Sequence, residues 1–276
     1  MAVAKPKLPS WVVGEFAGTF LLVLFGCGSV AAAVLLSAQV GIFQVAIVWG
    51  LGIGIAIHLT GSLSGAHLNA AVTVSLATWA GFPWRRVPGY ILVQLLGAFT
   101  ASAVLYAAFS GPLVAFEAAH GIVRGAPGSE ASAMIFGEYY PNPGGQPLTA
   151  ASRALVTFPE AFFVEIVGTA ILLLVILCAT DERNSARPAA YAPMVIGLTI
   201  TLLISLFGPL TMACFNPSRD FAPRLFSALA GWGSVPFTTN GQGWFTVYIL
   251  APLLGGLAGG WIYRKFFRPN YSSTIT

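Results

Sequence analysis

A chain of 276 residues that is 57% hydrophobic and 8% charged, with a mean hydropathy of +0.81, lies far outside the soluble range, where about a quarter of residues are charged. Its solvent is a bilayer. The net charge of +4 is too small for a nucleic-acid surface, and Cys27, Cys178 and Cys214 sit in apolar surroundings at irregular spacing, which excludes a disulfide framework or a metal site; no cofactor is expected.

Apolar runs long enough to cross about 30 Å of hydrocarbon recur at 11–37, 41–61, 87–110, 159–180, 189–207 and 244–267, which predicts six spanning helices. The first run is too long for a signal-peptide core and has no cleavage context, so it reads as a retained helix. It carries Glu15 and the string GCGSVA (26–31), whose match to a dinucleotide pattern fails for want of a preceding strand. In the second run, GLGIG (50–54) reads as small-residue helix packing, and His58 as a packed side chain. A polar island follows, SGAHLNAAVTVSLATW (64–79), whose last ten residues form a helix too short to cross.

Beyond the third run, residues 111–158 are rich in Gly and Pro and read as an extramembrane connector. The fourth run carries Glu165, and after the fifth comes a second island, GPLTMACFNPSRDFAPRLFSAL (208–229), again with a short helical tail. Lys5, Lys7, Arg85, Arg86, Arg183, Arg187, Arg264, Lys265 and Arg268 fall on one face of this topology, against only Arg124 and Arg153 on the other. Both termini are therefore expected in the cytoplasm.

The chain repeats itself. EFAGTFLLVL from Glu15 aligns with EIVGTAILLL from Glu165, and Asn69 with Asn216, so each half holds a Glu-bearing helix, two further spans and an Asn-bearing island. Three spans per half force the halves to be inverted. The expected organisation is one channel domain over 1–276: repeat one at about 10–110, the connector at about 111–158, and repeat two at about 159–268. Irregular backbone at mid-membrane is tolerated only where it lines a cavity or is buried in protein, which makes the islands two re-entrant half-helices meeting from opposite faces.

Asn is a favoured N-cap, so Asn69 and Asn216 are expected to accept from their own half-helices and to point their amide NH₂ groups outward as donors. Pro217 suits the first helical position. The non-helical residues Gly65, Ala66 and His67, and Met212, Ala213 and Cys214, are expected to offer carbonyls to a lumen, and the two helix N-termini bring about half a positive charge each. Glu15 and Glu165 are expected to brace the loops by accepting from backbone donors. Arg219 is expected in the pore, since an ionisable group at mid-bilayer costs roughly 2.5–3.5 kcal/mol on insertion scales.

SGAHLNAAVT, GPLTMACFNPSRDF, the paired Glu residues and FSALAGWG (226–233) together resemble the aquaporin family, and more closely its glycerol facilitator branch, over residues 10 to 268. The family's Asn-Pro-Ala triplets stand here as Asn69-Ala70-Ala71 and Asn216-Pro217-Ser218. The resemblance implies an all-α membrane protein of six transmembrane helices plus two re-entrant half-helices in two inverted repeats, assembled as a homotetramer in the cell membrane. Carried over by spacing from each Asn, the family's selectivity filter falls on Trp49, Ile204, Ala213 and Arg219. Trp49, Arg219 and the adjacent Asp220 fit a glycerol pathway; Ile204 replaces the usual Gly, Ala213 the usual aromatic, and Tyr248 the usual Pro.

The function these readings imply is passive permeation of glycerol, similar small neutral solutes and water, with protons and ions excluded. A water-selective pore is the alternative, disfavoured by the absence of a filter His. A secondary transporter would need more intramembrane carboxylates, and an enzyme needs a nucleophile and base that are not found here. A purely structural membrane protein would have no use for Arg219 and two midplane Asn donors.

Overall fold

The computed structural model describes residues 8–39 and 41–271 of the chain; Lys5 and Lys7, used above to orient the protein, lie outside the described residues. Among the described residues, six helical segments are long and apolar enough to span a membrane: Ser10–Leu36, Ile42–Ser64, Trp84–Ala108, Phe158–Thr180, Ala189–Thr211 and Gly243–Asn270. Their limits differ from the sequence-based runs by a few residues, because the helices continue past the hydrocarbon-like stretch into polar ends such as Gly61–Ser64 and Gly208–Thr211.

Between the second and third spans lies the half-helix Ala70–Trp79, and after the fifth lies its counterpart Pro217–Ser227. With 10 and 11 residues, each covers roughly 15–17 Å at 1.5 Å per residue, about half of a bilayer core. The packing has the two-fold character of an inverted repeat. The first half-helix lies against the sixth span and the second against the third, while the second and fifth spans pack on each other across the middle.

Apolar burial does not drive helices together inside lipid, so close backbone approach has to. Gly50 and Gly197 meet where the second and fifth spans cross: a Cβ on Gly197 would lie 2.2 Å from the Gly50 carbonyl oxygen. Gly18 and Gly168, one in the first helix of each repeat, leave room for Leu68 and Phe215, the residues that precede the two Asn caps; an added Cβ would meet those side chains at 2.3 and 2.0 Å.

One expectation is corrected: His58 is exposed on its helix and not packed. In the connector, after the helix Ser110–Ala119, residues 129–141 are buried in the protein. Met134, Ile135, Phe136 and Tyr139 join an apolar cluster with Leu113, Phe116 and Trp232, and Glu138 meets Arg219.

Candidate permeation pathway

The two half-helices meet N-terminus to N-terminus. Asn69 Oδ1 accepts from the backbone N–H groups of Ala71 (2.8 Å) and Val72 (3.4 Å), and Asn216 Oδ1 from Ser218 (3.0 Å) and Arg219 (3.3 Å). Each amide also reaches across: Asn69 Nδ2 donates to the Phe215 carbonyl, and Asn216 Nδ2 to that of Leu68, both at 2.8 Å. One N–H of each amide is thus spent tying the repeats together, which refines the expectation that both point outward. The second N–H of each NH₂ group is the one left for the lumen.

Glu15 and Glu165 hold the loops in front of these caps in the same way. Glu15 accepts from the His67 and Leu68 amides (3.0 and 2.9 Å) and from Ser64 Oγ (2.7 Å); Glu165 accepts from the Cys214 and Phe215 amides (3.0 and 2.8 Å) and from Thr211 Oγ1 (2.7 Å). Ser64 and Thr211 each receive one further amide, from Ala66 and Ala213. In a trans peptide the C=O points opposite to the N–H that follows it. Amides turned toward the carboxylates therefore turn the carbonyls of Gly65, Ala66 and His67, and of Met212, Ala213 and Cys214, the other way.

This backbone is strained, and the strain repeats. Ala66, Leu68, Met212, Ala213 and Phe215 all have positive φ, between 48° and 61°, a region non-glycine residues occupy only when their surroundings over-determine it. Here each carboxylate supplies that determination.

Two cavities meet at the centre. One, of about 600 Å³, opens on the connector side and is lined by Ile204, Met212 and Glu138; the other, of about 180 Å³, is lined by Gly65, Ala66, His67, Asn69, Ala213 and Asn216. Trp49 and Arg219 line both. They form the junction, with the Arg219 guanidinium 4.3 Å from the Trp49 ring centroid. Ile204 lines the larger cavity and Ala213 the smaller, and both belong to one buried cluster with Trp49. The His67 ring turns away to Phe82 and Tyr90, leaving its backbone to the path.

Four supporting residues were not singled out from the sequence. Ser64 and Thr211 are the hydroxyl partners above. Gln94, a lone amide in an apolar span, donates to Glu15 (2.8 Å) and Thr73 (3.0 Å) and accepts from Ser218 (2.9 Å), linking the first brace to the second half-helix. Its isolation in hydrocarbon was the signal that could have found it. Glu138 forms an ion pair with Arg219, and its setting in a Gly- and Pro-rich connector gave no such signal. Asp220, next to Arg219 in the sequence, takes Arg224, with both contacts at 2.9 Å.

Six spans in inverted repeats, two opposed half-helices with crossed Asn caps, and cavities joined at a Trp–Arg junction define a membrane channel with its own central pore. The family model for the major intrinsic proteins matches residues 3–263, and the chain belongs to that family. It is 42% identical over 264 residues to the glycerol uptake facilitator protein of Pseudomonas aeruginosa, covering 95% of this chain and 90% of that one. To the protein of the same name from Haemophilus influenzae it is 41% identical, covering 94% of each. The X-ray structure of the aquaglyceroporin from Plasmodium falciparum superimposes with a TM-score of 0.77 at 29% identity, covering 94% of this chain and 97% of that one.

Proposed function

We propose that the protein is a passive channel for glycerol, similar small neutral solutes and water that excludes protons and ions. The observation that carries this reading is the junction of Trp49 and Arg219. An indole face offers an apolar wall for a carbon backbone, and a guanidinium offers a fork of donors for adjacent hydroxyl oxygens. The names of the similar proteins, glycerol uptake facilitators and an aquaglyceroporin, agree with it. A water-selective pore is not favoured, and membership of this family makes the protein a channel and not an enzyme.

In this reading Asn69 and Asn216 donate to the passing oxygen, so a midplane water can only accept. Both half-helix dipoles and Arg219 oppose a hydronium at the same place. The carbonyls of Gly65, Ala66, His67 and Met212 form the acceptor stripe, Trp49, Ile204, Ala213 and Arg219 the filter, and Glu15 and Glu165 the braces. The protein lies in the cell membrane with both termini cytoplasmic, so the larger cavity faces outward, and four copies assemble with one pore each. The repeat boundaries are those given by the sequence, about 10–110 and about 159–268.

Liposome swelling in an imposed glycerol gradient tests the proposal. Reconstituted protein should speed swelling without any coupling ion. Swelling at the rate of empty liposomes, or only with an ion gradient, would overturn it.

A further inference from the structure

The connector delivers one buried carboxylate to the pathway. Glu138 is 1% exposed, and its backbone is fastened on both sides: its N–H donates to Asp220 Oδ1 at 2.7 Å, and its carbonyl accepts from Arg224 Nη2. Arg224 is itself fully buried, paired with Asp220 and stacked between Tyr139 and Tyr248. The next amide, that of Tyr139, rests on Met212 Sδ at 3.3 Å. Every anchor of Glu138 thus belongs to the second half-helix, the loop before it, or the helix packed beside it.

With its backbone fixed, the side chain lines the connector-side cavity beside Trp49, Ile204, Met212 and Arg219. Oε1 meets Arg219 Nη1 as an ion pair. Oε1, Oε2 and Arg219 Nη1 are all buried without a hydrogen-bond partner among the described residues, Oε1 and Nη1 having only their ion-pair contact with each other. A buried charged oxygen without a donor is rare because it is costly, and at the wall of a permeation path a passing molecule can supply one.

We propose that Glu138 is a specificity-determining residue of the filter: Oε2 accepts an O–H from a permeating polyol while Arg219 donates to the neighbouring oxygen. A vicinal diol carries a donor and an acceptor on adjacent carbons and can satisfy both groups at once, with its carbons against Trp49. Water can bridge the two groups through its one oxygen, but it brings no carbon for the Trp49 wall and no second hydroxyl. The filter therefore reads a pattern of two adjacent hydroxyls, beyond the donor-only reading that Arg219 and the Asn pair give. This inference rests on the proposed glycerol channel.

Glu138→Gln is the test, because Arg219 can only donate. The Gln oxygen must face Arg219, which places an NH₂ donor where Oε2 had been an acceptor. Per inserted channel, stopped-flow glycerol permeability should fall about tenfold, the scale of one lost hydrogen bond to a charged group, while water permeability changes less than about threefold, because a small water that loses this acceptor can turn its O–H to a neighbouring water or carbonyl. Should this variant fail to insert, Glu138→Asp carries the test: it keeps the charge, draws the carboxylate back, and should also lower glycerol relative to water. A glycerol-to-water ratio unchanged in the inserted variant, or an equal fall of both fluxes, would overturn the proposal and leave Glu138 a structural anchor. Wild-type protein that passes no glycerol would instead overturn the channel reading on which this one stands.

Discussion

Glu165 should be indispensable to the second loop, and the cost of removing it can be worked out from its contacts. Glu165→Ala strips the acceptor from two fixed amide donors, Cys214 and Phe215 at 3.0 and 2.8 Å, in a residue that is fully buried. Each buried amide left unsatisfied costs about 1–3 kcal/mol, so the pair costs roughly 2–6 kcal/mol. The Thr211 hydroxyl, at 2.7 Å, can rotate and adds less. Release of the buried carboxylate's own desolvation cost pulls the total toward the lower end.

The functional cost should be larger than the stability cost, because those amides set the direction of the Met212–Cys214 carbonyls and the position of the Phe215 carbonyl that receives Asn69. Detergent-solubilised variants unfolded by SDS titration, each compared with a control substitution at the exposed Thr100, Thr100→Ala, measure the first; glycerol swelling measures the second. Glu165→Ala within about 0.5 kcal/mol of the control, the range of a neutral surface change, together with wild-type permeation, would refute the bracing argument.

Arg219→Val should leave an inserted protein that loses its preference for glycerol over apolar solutes of similar size and leaks charged solutes in flux assays, since the fork of donors and a positive barrier go together. Ala213→Phe should reduce glycerol permeation more than water permeation, because a close-packed lining cannot absorb the ring without strain. Adding Ile204→Gly should restore much of the glycerol flux if the two positions share one filter wall; strictly additive effects in a double-mutant cycle would show that they do not. At the charge-rich face, partial burial pushes the Asp181 carboxyl up, but hydrogen bonds from Arg183 and Tyr263 outweigh it and bring it down from 3.8 to about 2. A lowered folded value stabilises above the unfolded one and is lost as pH falls, so Asp181→Asn should reduce thermal stability at pH 7, with the difference from wild type shrinking between about pH 4 and pH 2.

The parts of this architecture that were legible in the sequence are those where hydrocarbon makes a polar residue conspicuous. Six long apolar runs announce spans, and two Asn-bearing islands at nearly the same offset as the paired Glu residues announce an inverted repeat. Even the six carbonyl-bearing residues follow, since a re-entrant chain ahead of an N-cap has no helical partner for them. What could not be read was contact across distant segments. The pairing of Glu138 with Arg219 joins residues 81 apart in sequence, and a carboxylate in a Gly- and Pro-rich connector looks solvated until the fold shows it buried. Likewise each Asn spends one N–H on the opposite repeat, a bond set by how closely Gly18 and Gly168 let the loops approach.

Glycerol and proton fluxes recorded together in one vesicle population test the central claim most directly. Proteoliposomes carrying an internal pH dye are mixed with a glycerol gradient under an imposed pH difference, and light scattering and dye emission are followed together. Rapid reswelling, as glycerol follows water inward, should occur with the internal pH decaying no faster than in protein-free vesicles. Reswelling no faster than in empty vesicles, or a proton flux that keeps pace with the water flux, would contradict a glycerol-conducting pore whose opposed half-helices, Asn donors and Arg219 exclude protons.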